Sequence, residues 1–307
     1  MKKIALVLLL LVAALVSLMA VFPETATQTA FSLERFRSGL EHKTIVMDGS
    51  TWHYLEGGPQ EAPVLLLLHG FGGDKDNWTR FSATLTGDYR VIAPDLPGFG
   101  ESARQPERDY ALAAQREWLA SFAKALNLDT FHLGGNSMGG HIAALYTHRY
   151  PQQVESLGLL NNAGIDSPSS SEVRLAVERG ENPLLVSSPD DFDRLLGLVA
   201  IKQPFLPWPA KGVVARTAFE NAGFNRRIFD RYKEDRSIGL EPILPDIKQP
   251  VLIIWGEFDR VLDVSSVDVM RPLLPQARIV IMKDTGHIPM LERPAETAAH
   301  YRAFLED

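Results

Sequence analysis

The sequence predicts an α/β fold: a mostly parallel sheet of eight strands with helices on both faces, a helical insertion, and an N-terminal transmembrane helix. Three observations predict it. From about residue 43, short apolar runs alternate with segments of helical periodicity, the pattern of a parallel sheet covered on both sides. Residues 165–240 interrupt that alternation. Residues 4–22 are apolar except for Ser17.

The apolar run follows Lys2 and Lys3. At its length a helix reaches about 28 Å, close to the roughly 30 Å hydrocarbon core of a bilayer. A cleavable signal peptide has a shorter apolar region, and its cleavage site wants two small residues; Leu18-Met19-Ala20 offers a large one first. Residues 1–22 are therefore expected to be an uncleaved anchor, with signal-peptide cleavage and secretion as the alternative. The lysines should stay cytoplasmic, which places the rest of the chain on the far side. Ala13 and Ser17 have the small-xxx-small spacing of self-associating membrane helices, which suggests a homodimer. Residues 23–29 read as a polar break, and residues 23–42 as a juxtamembrane segment. Its short amphipathic helix carries Ala30, Leu33, Phe36 and Leu40 on one face and is expected to rest either on the catalytic domain or on the bilayer surface.

Beyond it, 44–47 and 52–55 form a hairpin across Asp48-Gly49-Ser50. Residues 64–68, 90–93, 131–133, 154–160, 251–255 and 278–282 read as strands, and 109–126, 137–148 and 294–304 as helices. The core is expected over 43–164 and 241–307. The interruption, 165–240, reads as a helical cap over the carboxyl edge of the sheet.

Net charge is −7 and no basic stripe stands out, which argues against a nucleic-acid partner. The chain has no cysteine, which removes disulfides, thiolate metal sites and cysteine nucleophiles.

Gly135-Asn136-Ser137-Met138-Gly139 lies between a strand and a helix, the setting in which G-x-S-x-G presents a nucleophile. Glycines two before and two after Ser137 allow a turn too sharp for side chains. The Met138 N–H then faces the place where an oxyanion would develop. His69-Gly70-Phe71-Gly72-Gly73 follows another strand and offers the Phe71 N–H as second donor. His69 is expected to fix that loop by local hydrogen bonds. After strand 251–255, Asp259 sits where a carboxylate can orient a base, with Glu257 and Asp263 as rivals. After strand 278–282, His287 occupies the base position. Ser137, Asp259 and His287 occur in the chain order of this arrangement.

These motifs, together with Asp95-Leu96-Pro97-Gly98-Phe99-Gly100-Glu101-Ser102, resemble the α/β-hydrolase superfamily from about Thr44 onward. The resemblance is greatest to capped bacterial lipases and esterases and, with the anchor, to membrane-anchored bacterial phospholipases A. It implies an acyl-ester or lipid substrate, inner-membrane attachment with the catalytic domain outside the cytoplasm, and neither metal nor cofactor. Two alternatives stand. Carbon–carbon bond hydrolases of ring-cleavage products share the Gly-Asn-Ser-Met-Gly-Gly turn but have a different oxyanion loop. A non-catalytic hydrolase-fold module would usually have lost a triad residue.

Overall fold

The computed structural model describes residues 2–188, 190–235 and 238–307. α1 (Lys2–Val21) has no buried residue, and its most apolar stretch has a mean hydropathy of 3.1. It is long and apolar enough to cross a membrane. Phe22 alone separates it from α2 (Pro23–Arg37), and the Ala26 N–H still bonds the Phe22 carbonyl. The expected break at 23–29 is therefore helix. Pro23 takes the first position, where its missing N–H costs nothing.

α2 also ends earlier than expected, at Arg37, because Leu40 already belongs to the sheet. Of the two surfaces open to its apolar face, the catalytic domain is not the one it rests on. Leu33 and Phe36 point outward, while Thr27, Phe31, Glu34 and Arg35 face the catalytic domain. Ion pairs decide this. Arg35 grips Asp76 through two bonds of 2.6 Å, Arg80 holds Glu34 at 2.6 Å, and Arg216 reaches back to Glu24. A bidentate guanidinium–carboxylate pair at 11% and 16% exposure holds geometry in a way that an exposed pair does not.

The sheet follows as β1 (Leu40–Met47), β2 (Ser50–Gly57), β3 (Val64–Leu68), β4 (Arg90–Pro94), β5 (Phe131–Asn136), β6 (Val154–Leu160), β7 (Val251–Gly256) and β8 (Arg278–Met282). Their spatial order is β1-β2-β4-β3-β5-β6-β7-β8. β1–β2 and β2–β4 pair antiparallel and all other neighbours parallel. Asp48 and Gly49 close the hairpin with φ of 52° and 68°, the left-handed geometry that a tight two-residue turn requires.

α3 (Thr79–Ser82), α4 (Leu112–Ala125), α5 (Met138–Arg149), α10 (Ser266–Leu273), α11 (Pro289–Glu292) and α12 (Pro294–Leu305) cover the sheet. Side chains of β3 alternate between two apolar layers, Leu66 and Leu68 in one, Leu65 and Leu67 in the other. This is the burial on both faces that makes a parallel strand apolar throughout.

The insertion carries α6 (Glu172–Glu178), α7 (Asp191–Val199), α8 (Ala210–Glu220) and α9 (Ala222–Asp235). Its ends meet where the Leu240 N–H bonds the Gly164 carbonyl at 2.8 Å. His141 of α5 bonds Tyr232 and the Ile238 carbonyl, fastening α9 to the core. Burial lowers the His141 pKa to about 4, so the ring stays neutral.

Candidate active site

Every parallel strand delivers its carboxyl end to one edge of the sheet, and the candidate residues collect there. β5 runs into α5 through Ser137, whose φ of 54° and ψ of −121° lie in a region that side chains rarely adopt. The flanking glycines show why the turn is tolerated. A Cβ on Gly135 would collide with the Gly139 backbone, and one on Gly139 would collide with the Leu68 and His69 carbonyls. The Ser137 N–H bonds the Leu160 carbonyl, and the Ser137 carbonyl accepts from His141 and Ala163. These bonds hold the strained residue between β6 and α5. The first turn of α5 leaves the Met138 N–H without a helical acceptor.

The loop after β3 lies against this turn. A Cβ on Gly70 would stand 3.0 Å from the Ser137 Cβ. His69 accepts from the Leu96 N–H through Nε2 at 2.9 Å, so its Nδ1 is the protonated nitrogen and donates to the Gly70 carbonyl at 2.8 Å. Burial lowers its pKa. His69 thus braces the loop. The Phe71 ring packs edge-on against Phe99 of the core and Phe229 of α9.

His287 Nδ1 lies 2.8 Å from Asp259 Oδ2, and both residues are buried. Glu257 is exposed, and Asp263 accepts from the Ser265 N–H. Asp259 has every acceptor position occupied. Oδ1 takes the Val261 and Leu262 N–H groups at 2.8 and 3.0 Å, and Oδ2 also takes Asn161 Nδ2 at 2.7 Å. Ser137 and His287 line one cavity, with no direct hydrogen bond between them among the described residues. Such a bond is commonly long until substrate arrives.

Three further residues hold this geometry and were not singled out from the sequence. Asn161, directly after β6, pairs with Asp259. Asn136 Nδ2 donates to the carbonyls of Leu160 and His287 at 3.1 and 3.0 Å. The buried Glu292 carboxylate accepts from Gly286 N at 2.8 Å and from Ile201 and Lys202 N at 2.8 and 3.1 Å. It joins the His287 loop to the cap. Burial raises its pKa against the opposing pull of those backbone donors. A polar Asn161-Asn162 pair at the end of an apolar strand was the available signal for the first. Glu292 has no comparable one.

The cavity encloses about 240 Å³. Leu184, Val186, Leu195, Leu196, Leu206 and Val214 of the insertion form an apolar wall, and Val199 stands beside His287. Phe31 and Glu34 of α2, with Asp74, Asp76 and Arg80, give it a polar end. Phe192 of α7 shares this role, but other aromatics of the insertion do not. Phe205, Trp208 and Phe219 are exposed, and Phe224 packs on the core.

The fold and this edge constellation define a hydrolase. The chain belongs to the alpha/beta hydrolase family, which it matches over residues 65–300. It is 38% identical over 280 residues to Lipase 1 of Psychrobacter immobilis, covering 91% of this chain and 88% of that protein. A crystal structure of a membrane phospholipase A, described as a bacterial virulence factor, superposes with a TM-score of 0.92 at 48% identity. The match covers 100% of this chain and 98% of the other. A protein assigned as lipase Lip1 from Acinetobacter baumannii AYE gives 0.87 at 33% identity, over 91% and 95% of the two chains. The chain is an ester hydrolase of the lipase and esterase group.

Proposed function

We propose that the protein hydrolyses acyl esters of membrane lipids, phospholipids and lysophospholipids among them, while anchored by α1 with its catalytic domain on the extracytoplasmic side. The observation that carries this reading is the cavity. One wall is apolar and suits an acyl chain; Ser137 and His287 stand at its lining; and its polar end includes α2, one residue removed from the membrane-length helix. A lipid leaving the bilayer meets that end first.

In this mechanism His287 Nε2 takes the Ser137 proton as Oγ attacks the ester carbonyl. The Phe71 and Met138 N–H groups hold the resulting oxyanion. The imidazolium, held by Asp259, protonates the leaving alkoxide, and an acyl-Ser137 ester remains. Water then attacks that ester with His287 again as base, releasing the fatty acid and restoring the Ser137 hydroxyl. The names of the two phospholipase and lipase relatives support the lipid assignment.

The test is kcat/KM on p-nitrophenyl esters from acetate to palmitate, with fatty-acid release from phosphatidylethanolamine and phosphatidylglycerol vesicles. Each methylene buried against the cap should gain about 0.8 kcal/mol, roughly fourfold, until the wall is filled. An optimum at medium or long chain with release from phospholipid is expected. Fastest turnover of acetate with no release from either phospholipid would instead make the protein a small-ester hydrolase. Cleavage of a 2-hydroxy-6-oxo-dienoate without esterase activity would return the carbon–carbon hydrolase.

A further inference from the structure

A second cluster of chemistry-bearing side chains lies apart from the active site, and none of its members lines the cavity. His42 on β1 and His53 on β2 share a sheet face, because His53 is paired with Thr44, two residues from His42. Such diagonal neighbours are close enough for ring nitrogens to converge. His42 Nε2 and His53 Nδ1 stand 3.0 Å apart. Glu101, from the turn after β4, brings Oε2 to 3.6 Å from His53 Nδ1 and 3.9 Å from His42 Nε2. We propose that His42, His53 and Glu101 form a surface site for a divalent transition metal, with zinc as its principal occupant.

The spacing supports this. With zinc–nitrogen and zinc–oxygen bonds of about 2.0–2.1 Å, neighbouring ligand atoms of a tetrahedron lie about 3.3 Å apart. The three separations bracket that value and need only small side-chain rotations to meet it. Without a metal, one imidazole donates its proton to the other, and Glu101 is too distant to join the bond. A metal ion replaces that shared proton and draws the carboxylate in. Two imidazoles and one carboxylate suit zinc, nickel or copper and disfavour calcium and magnesium.

The surroundings fix the ligands as a metal site requires. The other Glu101 oxygen accepts from Lys75 Nζ at 2.7 Å, and Lys75 is itself held by Asp95 at 3.0 Å in the core. The Glu101 N–H bonds Asp95 at 2.8 Å, and the His53 N–H bonds Ser102 Oγ at 3.0 Å. The turn is thus fastened to the strand that supplies the ligand. The side chains of His42, His53 and Glu101 are 30%, 22% and 49% exposed, which leaves room for water as fourth ligand. Lys75, and Arg35 at 4.0 Å from Glu101, draw on the same carboxylate and hold the affinity below that of a buried structural site. The bound ion would join β1, β2 and the turn after β4 just beyond the end of α2, and so stiffen the junction between the membrane-length helix and the catalytic domain.

The experiment is calorimetric titration of the EDTA-stripped full-length protein in detergent with Zn²⁺, and the visible spectrum of its Co²⁺ form. One ion per chain and a tetrahedral cobalt band are expected. His42→Ala and His53→Ala should each weaken binding by about tenfold or more and leave ester hydrolysis by the zinc-free enzyme unchanged. A test without variants uses the native protein: Zn²⁺ should protect His42 and His53 from diethyl pyrocarbonate while the exposed His148 stays reactive. Absence of binding, equal modification with and without zinc, or undiminished one-to-one binding by the double variant His42→Ala/His53→Ala would overturn the site.

Discussion

Asp259→Asn exchanges one oxygen for an NH₂ group in a place where every neighbour is a donor. If the amide nitrogen replaces Oδ1, it meets the Val261 and Leu262 N–H groups, and two backbone bonds of 2.8 and 3.0 Å are lost. If it replaces Oδ2, it meets Asn161 Nδ2 and His287 Nδ1. The second arrangement can relax. Asn161 Oδ1 is buried without a partner, so rotating that amide supplies an acceptor. His287 can accept at Nδ1 only by moving its proton to Nε2, the atom that must take the Ser137 proton. The variant should therefore fold, and kcat should fall by about 10³–10⁴, or roughly 4–5.5 kcal/mol of transition-state stabilisation. The assay is turnover of p-nitrophenyl butyrate alongside the thermal transition of both proteins. A folded variant within tenfold of wild-type kcat would refute the tautomer argument and the role given to Asp259.

Glu292→Gln leaves one acceptor oxygen for three backbone donors; chemical denaturation should show a loss of about 1–3 kcal/mol, with kcat falling as the His287 loop loosens, and unchanged stability would remove Glu292 from the account. The Asp74 carboxyl, half-buried at the polar end of the cavity, is pushed up to about 7 by burial and then by Asp76 and Asp95. Its native pKa exceeds its unfolded one, so the native state binds the extra proton between pH 4 and 7. The stability it contributes is complete below that window and is lost as pH rises through it. Asp74→Asn, which keeps the acceptor for Asp76 N, should flatten the pH dependence of unfolding there; an identical profile would count against the assignment. The mature protein should remain in the membrane fraction after a high-salt wash, which strips only electrostatic attachment, and a mature N-terminus found after Ala20 would replace the anchor by a signal peptide. In detergent crosslinking, a monomer unaffected by Ala13 and Ser17 substitutions would dispose of helix self-association; Ser17 Oγ already bonds the Ala13 carbonyl within its own helix.

What was legible in the sequence was what is local. The turn at Ser137 depends on glycines two positions away, and the strands declare themselves by unbroken apolar runs such as Leu65–Leu68. The positions of Asp259 and His287 follow from which strands they terminate. Side chains that act across long separations were not legible. Asn161 meets Asp259, and its only mark in the sequence is the polar pair it forms with Asn162 after an apolar strand; Glu292, which gathers donors from the cap, reads as an ordinary polar residue until folding supplies its partners. α2 was only partly legible for a related reason. Its apolar stripe, Leu33 and Phe36, left the domain and the bilayer surface both open, and Glu34 and Arg35 find Arg80 and Asp76 on the domain. Paired charges turned the apolar stripe away from the domain. Leu40 fitted the helical spacing equally well and was taken by β1.

In the proposed mechanism one residue, Ser137, carries the acyl group during ester hydrolysis. The direct measurement is intact-protein and peptide mass spectrometry after a fluorophosphonate and, separately, after rapid acid quench during turnover of a p-nitrophenyl ester. One adduct per chain is expected on the peptide containing Ser137, with loss of hydrolysis in proportion to labelling, and neither labelling nor turnover in Ser137→Ala. Hydrolysis that persists in a fully labelled protein, or an adduct on another residue accompanying the loss of activity, would contradict that mechanism.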